Sequence, residues 1–328
     1  MPYLCMRHDF RAPAFGPASA RDIYAAALEQ FAWADRNGFD LLVLSEHHGI
    51  DDGWLPSPLT MAGVVLGKTE RARVMVSAAV LPLHDPVRVA EQIAVLDNAS
   101  PGRLWVVVGA GYRAEEFEMA GADHAARGKT LEKYVGVMLR AWSGEPFEWQ
   151  GRRVTVTPRP ATLPHPMVLV GGGVPAAARR AARLHLPMLP MNTDQVVRDA
   201  YAEESERVGY RGFLVETTGP TFVHVAEDPE KAWAEIAPYV LYEVQTYASY
   251  QTPGQHSMPV VHADDLAGLQ EARATIWVDT PDGILARLAD DPSAQAINFH
   301  PLAGGLPPDL AWASLELFAS AVLPKLGN

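Results

Sequence analysis

Cysteine is almost missing from this chain: Cys5 is the single thiol in 328 residues. It can form no internal disulfide and cannot build a multi-thiolate metal centre. Basic residues are also in deficit, 27 Lys+Arg against 39 Asp+Glu, which leaves a formal charge of −12. That balance argues against nucleic acid or an anionic membrane as the main partner, because phosphate-rich surfaces recruit an excess of Lys and Arg. No apolar run reaches the roughly 18 residues needed to span a bilayer. The apolar stretch before Arg7 and His8 is too short to read as a secretory signal. A soluble, cytoplasmic protein is therefore expected. There is no internal repeat and no low-complexity tract. What the chain does have is 48% hydrophobic and 20% charged residues, a globular balance that excludes a disordered chain. Its length suits one large barrel or two ordinary domains.

Hydrophobic periodicity alternates short buried runs with amphipathic stretches. Tyr3–Met6, Asp40–Ser45, Arg73–Leu81, Leu104–Val108, Met167–Val170, Met188–Leu189, Thr221–Val225 and Ala296–Phe299 read as strands. Helical patterns follow them at about 19–38, from 57 onward, 85–99, 125–142, 175–185, 194–208, 229–249 and 308–322. Ser19 with Asp22 three positions on, and Ser57-Pro58 and Asp85-Pro86, are helix-start signals. Eight strand-then-helix units predict a single (β/α)8 TIM barrel over residues 1–328, with a doubly wound sheet as the alternative. Two segments exceed ordinary loop length, about 143–166 and 250–295, and are expected to be insertions, the second acting as a lid.

In such a barrel the chemistry lies at the carboxyl ends of the strands. Those ends carry His8 and Arg11, then Glu46, His47 and His48, then Ser77 and Ala78, and then Gly109, Ala110, Gly111 and Tyr112. Gly171, Gly172 and Gly173 follow the fifth strand and His300 the eighth. Gly171–Gly173 joins a strand to a helix, so its bare N–H groups suit a phosphate, or only a tight turn. Glu46 and His48 could converge on a metal, with His8 or His300 joining them, as in a metal-dependent hydrolase. His47 and His48 point apart on an extended backbone, and few further carboxylates support that reading. One of these histidines in acid–base work, or a satisfied buried histidine, are the other readings.

Four segments carry a resemblance. They are Ser45-Glu46-His47-His48, the run Ala79–Gln92 containing Leu81-Pro82-Leu83-His84-Asp85-Pro86, Leu96–Arg103, and Gly109–Phe117. Together they resemble the bacterial luciferase-like superfamily of flavin- and deazaflavin-dependent barrel oxidoreductases. The likeness runs in order to Gly173, and Pro301–Leu323 is similar too. It implies His47 as the catalytic histidine, Ser77-Ala78 as a non-prolyl cis peptide behind the flavin ring, Gly109–Gly111 beside the ring, and Gly172 and Gly173 at the phosphate. His8, Arg11, Glu46, Tyr112 and His300 are the expected substrate-pocket residues. Ala110 stands where luciferases carry a phosphate-gripping arginine, and Gly172-Gly173 where they carry an acid–Ser pair. Glycine-rich ends at strands 4 and 5 are common in the deazaflavin branch, which usually shows Ser-Asp-His after strand 2. The resemblance thus implies an FMN-dependent monooxygenase served by a separate flavin reductase, acting with oxygen on an apolar organic substrate, and homodimeric. The alternatives are a deazaflavin-dependent dehydrogenase or reductase and a non-catalytic flavin-binding protein.

Overall fold

The computed structural model of the chain describes residues 2–192, 194–215, 218–250, 263–271 and 275–326. Its strands are β1 (Tyr3–His8), β2 (Leu41–Leu44), β3 (Arg73–Val80), β4 (Leu104–Gly109), β5 (Phe147–Trp149), β6 (Arg152–Val154), β7 (Met167–Gly172), β8 (Met188–Pro190), β9 (Phe222–Val225), β10 (Ile276–Asp279) and β11 (Ala296–Phe299). The helices are α1 (Ala20–Arg36), α2 (Pro58–Lys68), α3 (Pro86–Ala99), α4 (Ala114–Ala120), α5 (Arg127–Ala141), α6 (Pro175–Arg183), α7 (Gln195–Val208), α8 (Pro229–Ser249), α9 (Leu266–Glu271), α10 (Pro281–Asp290) and α11 (Pro308–Leu317). The helix-start signals act as read. Ser19 and Asp22 close a reciprocal capping box on α1. Asp85 accepts from the Val87 and Arg88 N–H groups at the start of α3, where Pro86 has no N–H to leave unpaired.

Seven strands form one curled parallel sheet in the order β11-β1-β2-β3-β4-β7-β8. The eight-stranded ring expected from periodicity is met only in part. β9 pairs in parallel with β10 as a separate two-stranded sheet, through Phe222↔Ile276 to Val225↔Asp279. β10 lies within the 250–295 insertion, where the sequence suggested only a helix at about 280–289. Its Ile-Trp-Val core is too short to show a period, although β-branched and aromatic residues favour a strand. That helix exists as α10; residues 251–262 and 272–274 of the insertion lie outside the described residues. The 143–166 segment holds the β5–β6 hairpin and is pinned by Asp97, which accepts from the Thr162 N–H and hydroxyl. Among the described residues no helix is long and apolar enough to cross a membrane.

Alternation along the strands decides which side chains meet. Met6, Leu42, Leu44, Val74, Val76, Val106, Val108, Val168 and Val170 point outward into the core beneath the helices. Met75, Val107 and Leu169 point inward and form a smaller cluster with Leu41, Val43 and Ala78 at its edge. Register places Arg7 beside Val43 and His8 beside Leu44, so Arg7 faces inward and His8 outward.

Candidate active site

The inner face ends in a bare floor. Peptide Ser77–Ala78 is cis and non-prolyl, and the β3–β4 register slips between Ser77 and Ala79. A Cβ added at Gly109 would lie 3.1 Å from the Ala78 Cβ. One at Gly171 would lie 2.9 Å from Val107 Cγ1 and 4.0 Å from the Ala78 Cβ. Three adjacent strands therefore finish in backbone and one methyl, a flat apolar surface on which a planar ring can rest. Gly111, at φ +75°, is needed for packing: a Cβ there would meet Val80 at 2.6 Å and the Phe117 ring at 2.8 Å. Gly172 likewise lets β7 approach α6, since its Cβ would fall 2.5 Å from that of Ala177. The Gly173 carbonyl accepts from Asn192, and Val174, the N-cap of α6, gives that helix no side-chain cap. Ala110 is partly buried against the core and offers no charge.

His47 stands at the same end, in the loop after β2, and is held by partners from distant sequence. Its Nδ1 is 2.8 Å from Glu116 Oε1, and its Nε2 is 3.1 Å from the Tyr112 hydroxyl. The ring meets Trp54 edge-on at 4.4 Å. Burial would raise the Glu116 carboxyl, but hydrogen bonds from His47 and the His48 N–H, with Arg113 nearby, hold it below its ordinary value. Ionised Glu116 can only accept, so His47 carries its proton on Nδ1 and presents Nε2 as a base. Burial keeps Tyr112 protonated, and it donates to that nitrogen. Glu116, His47 and Tyr112 thus form a line along which a proton can be held at one defined atom. Glu116 lies 69 positions from His47, and no feature of its own segment sets it apart from Glu115.

Glu46, expected in the pocket, is instead an anchor. Its Oε1 lies 2.8 Å from His48 Nε2 and 2.5 Å from His84 Nε2, while Oε2 accepts from the Val80 N–H at 2.8 Å. Burial would raise this carboxyl; the hydrogen bonds from His48, His84 and Val80 bring it down to about 2. The bond to Glu46 raises His48 in turn. His47 and His48 diverge, as alternation requires. Glu46 and His48 do converge, but His84 joins them rather than His8 or His300.

The remaining candidates separate. His8 is fully buried on the outer face, its ring 4.6 Å from Phe31 of α1, so it takes no part in the pocket. Arg11 is buried in structural bonds: Nε to Asp52 at 2.6 Å, Nη1 to Glu243 at 2.5 Å and Nη2 to the Thr246 hydroxyl at 2.9 Å. Its guanidinium stacks on Trp54 at 4.4 Å and Tyr242 at 4.7 Å. His300 faces inward beside Asp9 and Glu243. Arg7, which the sequence reading passed over, grips Asp9 with two bonds at 2.8 and 3.0 Å and lies against Tyr247. Strand alternation on either side of Met6 was the signal for it.

The chain matches the luciferase-like monooxygenase family over residues 9–292. It belongs to that family. It is 26% identical over 162 residues to the oxygenase component of the flavin-dependent trigonelline monooxygenase of Acinetobacter baylyi, covering 47% of this chain and 45% of that one. It is also 26% identical to the F420-dependent glucose-6-phosphate dehydrogenase of Nakamurella multipartita, over 98% of this chain and 96% of that one. The chain spans about 40 to 45% of the length of some curated relatives it matches. The oxygenating constituent of 3,6-diketocamphane monooxygenase from Pseudomonas putida, solved with FMN, shares the fold at TM-score 0.74 and 18% identity, over 99% of this chain and 98% of that one. Relatives with named activities include flavin-dependent monooxygenases and an F420-dependent dehydrogenase. The bare floor at Ala78, Gly109 and Gly171 fits a tricyclic flavin-type ring, which a side chain at either glycine would crowd.

Proposed function

We propose that the protein is an FMN-dependent monooxygenase that takes flavin reduced elsewhere, together with oxygen, and oxygenates an apolar organic substrate. The observation that carries this reading is the side-chain-free floor formed by Ala78, Gly109 and Gly171, tied to His47 through Tyr112. Bound there, reduced flavin would supply the electrons that activate oxygen. The backbone at Ser77–Ala78 and Gly109–Gly111 would hold the ring. The N–H groups around Gly171–Gly173 and the start of α6 would face the phosphate. His47, fixed by Glu116, holds or accepts a proton at Nε2, and Tyr112 donates to that nitrogen. Trp54, Tyr247 and Tyr250 pack around His47 and one another as an apolar wall that keeps water away. A relative named as an oxygenase component supports a separate flavin reductase as partner. We further read the seven-stranded sheet as the larger part of a closed barrel, and the exposed Val64 of α2 and Val95 of α3 as part of a homodimer face, in a cytoplasmic protein.

A second reading is hydride transfer with a deazaflavin. Ala110 supports it, because no cationic side chain stands where the family's flavin users grip phosphate, and so does the full-length likeness to an F420-dependent dehydrogenase. Anaerobic titration with FMN and with the deazaflavin coenzyme separates the two. Micromolar binding of FMN alone is expected, followed by consumption of oxygen without release of all of it as hydrogen peroxide when a substrate is present. Tighter binding of the deazaflavin would replace the first reading with the second.

A further inference from the structure

Below the aromatic wall lies a small cavity of about 40 Å³, distinct from the floor. Phe222 of β9, Ile276 of β10 and Val240 and Val244 of α8 give it apolar sides, and Glu243 and His300, with Arg7 and Thr221, make up its polar end. Both end groups are more than nine-tenths buried, yet Glu243 Oε1 and His300 Nε2 have no hydrogen-bond partner among the described residues. Neither is spare by accident of a loose rotamer. Glu243 is fixed through its other oxygen by Arg11 and the Gly304 N–H, and His300 is held 3.4 Å from Asp9. A buried polar atom without a partner costs on the order of 1–3 kcal/mol, so this end of the cavity is built to be completed.

The charges choose what completes it. Asp9, Glu243 and His300 present atoms within 4.8 Å of one another, a set that could suit a cation. However, Arg7 sits 2.8 Å from Asp9 and Arg11 2.5 Å from Glu243, so each carboxylate already has a guanidinium and a further cation would meet both. An anion would meet the Glu243 carboxylate, with Asp9 behind it, while Arg7 of the lining is already paired with Asp9. Burial leaves His300 neutral, with one ring nitrogen as donor and the other as acceptor, and it pushes Glu243 up to about 7. A neutral group that both donates and accepts matches this pair.

We infer that Glu243 and His300 form the polar end of the substrate site and recognise a hydroxyl group on an otherwise apolar substrate. The hydroxyl donates to Glu243 Oε1 and accepts from His300, while Phe222, Val244 and Ile276 cover the adjoining carbons. The cavity admits only that end of a molecule. Tyr247 lines it, meets Trp54 at 5.0 Å, and Trp54 meets His47, so the rest of the substrate would run along this wall toward the reacting centre. The inference rests on the oxygenase reading above, but its test does not.

Calorimetric titration of the full chain, with neither flavin nor reductant present, compares phenol with toluene, which has the same shape without the hydroxyl. Phenol should bind at least about tenfold more tightly, because an analogue that lacks the hydroxyl leaves the buried pair unmatched. His300→Phe keeps the ring and removes both nitrogens, and should abolish that preference. Val244→Phe fills the cavity without touching a charge, and should weaken phenol at least about tenfold. Equal affinities, binding of neither probe, a preference that survives His300→Phe, or phenol binding unchanged by Val244→Phe would each overturn the inference. Failure of FMN to bind in the separate flavin titration would instead count against the oxygenase reading and leave these ratios as measured.

Discussion

Replacing Glu46 by Gln tests the anchor beneath the loop that carries His47 and yields a magnitude. The carboxyl is buried, and its folded-state value is about 2 against an ordinary 4.5. Because the folded value is depressed, the stability it contributes is fully present above 4.5 and is lost as pH falls toward 2. A displacement of that size corresponds to about 3 kcal/mol at neutral pH. By the same linkage the contribution shrinks by about 2 kcal/mol between pH 6 and pH 3. His48 is raised above its ordinary value, so it stays protonated throughout that window and adds no slope of its own. Urea unfolding of wild type and Glu46→Gln at several pH values between 3 and 6 measures the gap between them. The gap should be largest at pH 6 and close steadily toward pH 3. A gap that does not change with pH would refute the argument, since it would mean that Glu46 acts by shape and not by charge. Loss of far-UV signal in the variant at pH 6 would show only that the anchor is essential, and Glu46→Asp then repeats the comparison.

Three further outcomes follow from the same geometry. Gly171→Ala should lower affinity for the flavin-type cofactor by at least about tenfold and lower the unfolding midpoint as well, because the added carbon enters the floor and also falls 2.9 Å from Val107 Cγ1, 3.8 Å from the Val108 carbonyl oxygen and 4.0 Å from the Ala78 Cβ; cofactor fluorescence titration of the folded variant beside thermal unfolding separates the two effects. Glu116→Gln keeps the shape but can turn an N–H toward His47 Nδ1, so kcat should fall by about 10- to 100-fold with KM little changed and the pH–rate profile displaced; an unaltered profile would remove Glu116 from its positioning role. Burial, with Asp40 nearby, pushes the Cys5 thiol up to about 12, so a thiol reagent at pH 8 should label the native chain only as fast as it opens and label it promptly in denaturant.

Much of the architecture could be read from local pattern. Helix starts at Ser19 and Asp85, the continuous apolar strands, and the glycines closing β4 and β7 are short-range signals, and the structure carries them at those positions. The segments Ser45–His48, Ala79–Gln92, Leu96–Arg103 and Gly109–Phe117 together indicated the family. Alternation assigns Arg7 inward and His8 outward once Met6 is placed in the core, so His8 is not a pocket residue. The β9–β10 pair was not readable, because Ile276–Asp279 spans too few residues for any period to emerge.

Which residues serve as partners is a different kind of question. Glu116 is chosen over Glu115 because one turn of α4 buries the first and exposes the second. Glu46 becomes an anchor because β3 ends where the Val80 N–H and His84 can reach it. Arg11 is withdrawn from the pocket by carboxylates 41 and 232 positions away. Periodicity reports which face of an element a residue occupies, and that follows from backbone geometry alone. The environment that sets a side chain's charge, tautomer and role depends on the element packed against that face, and only the folded chain brings the two together.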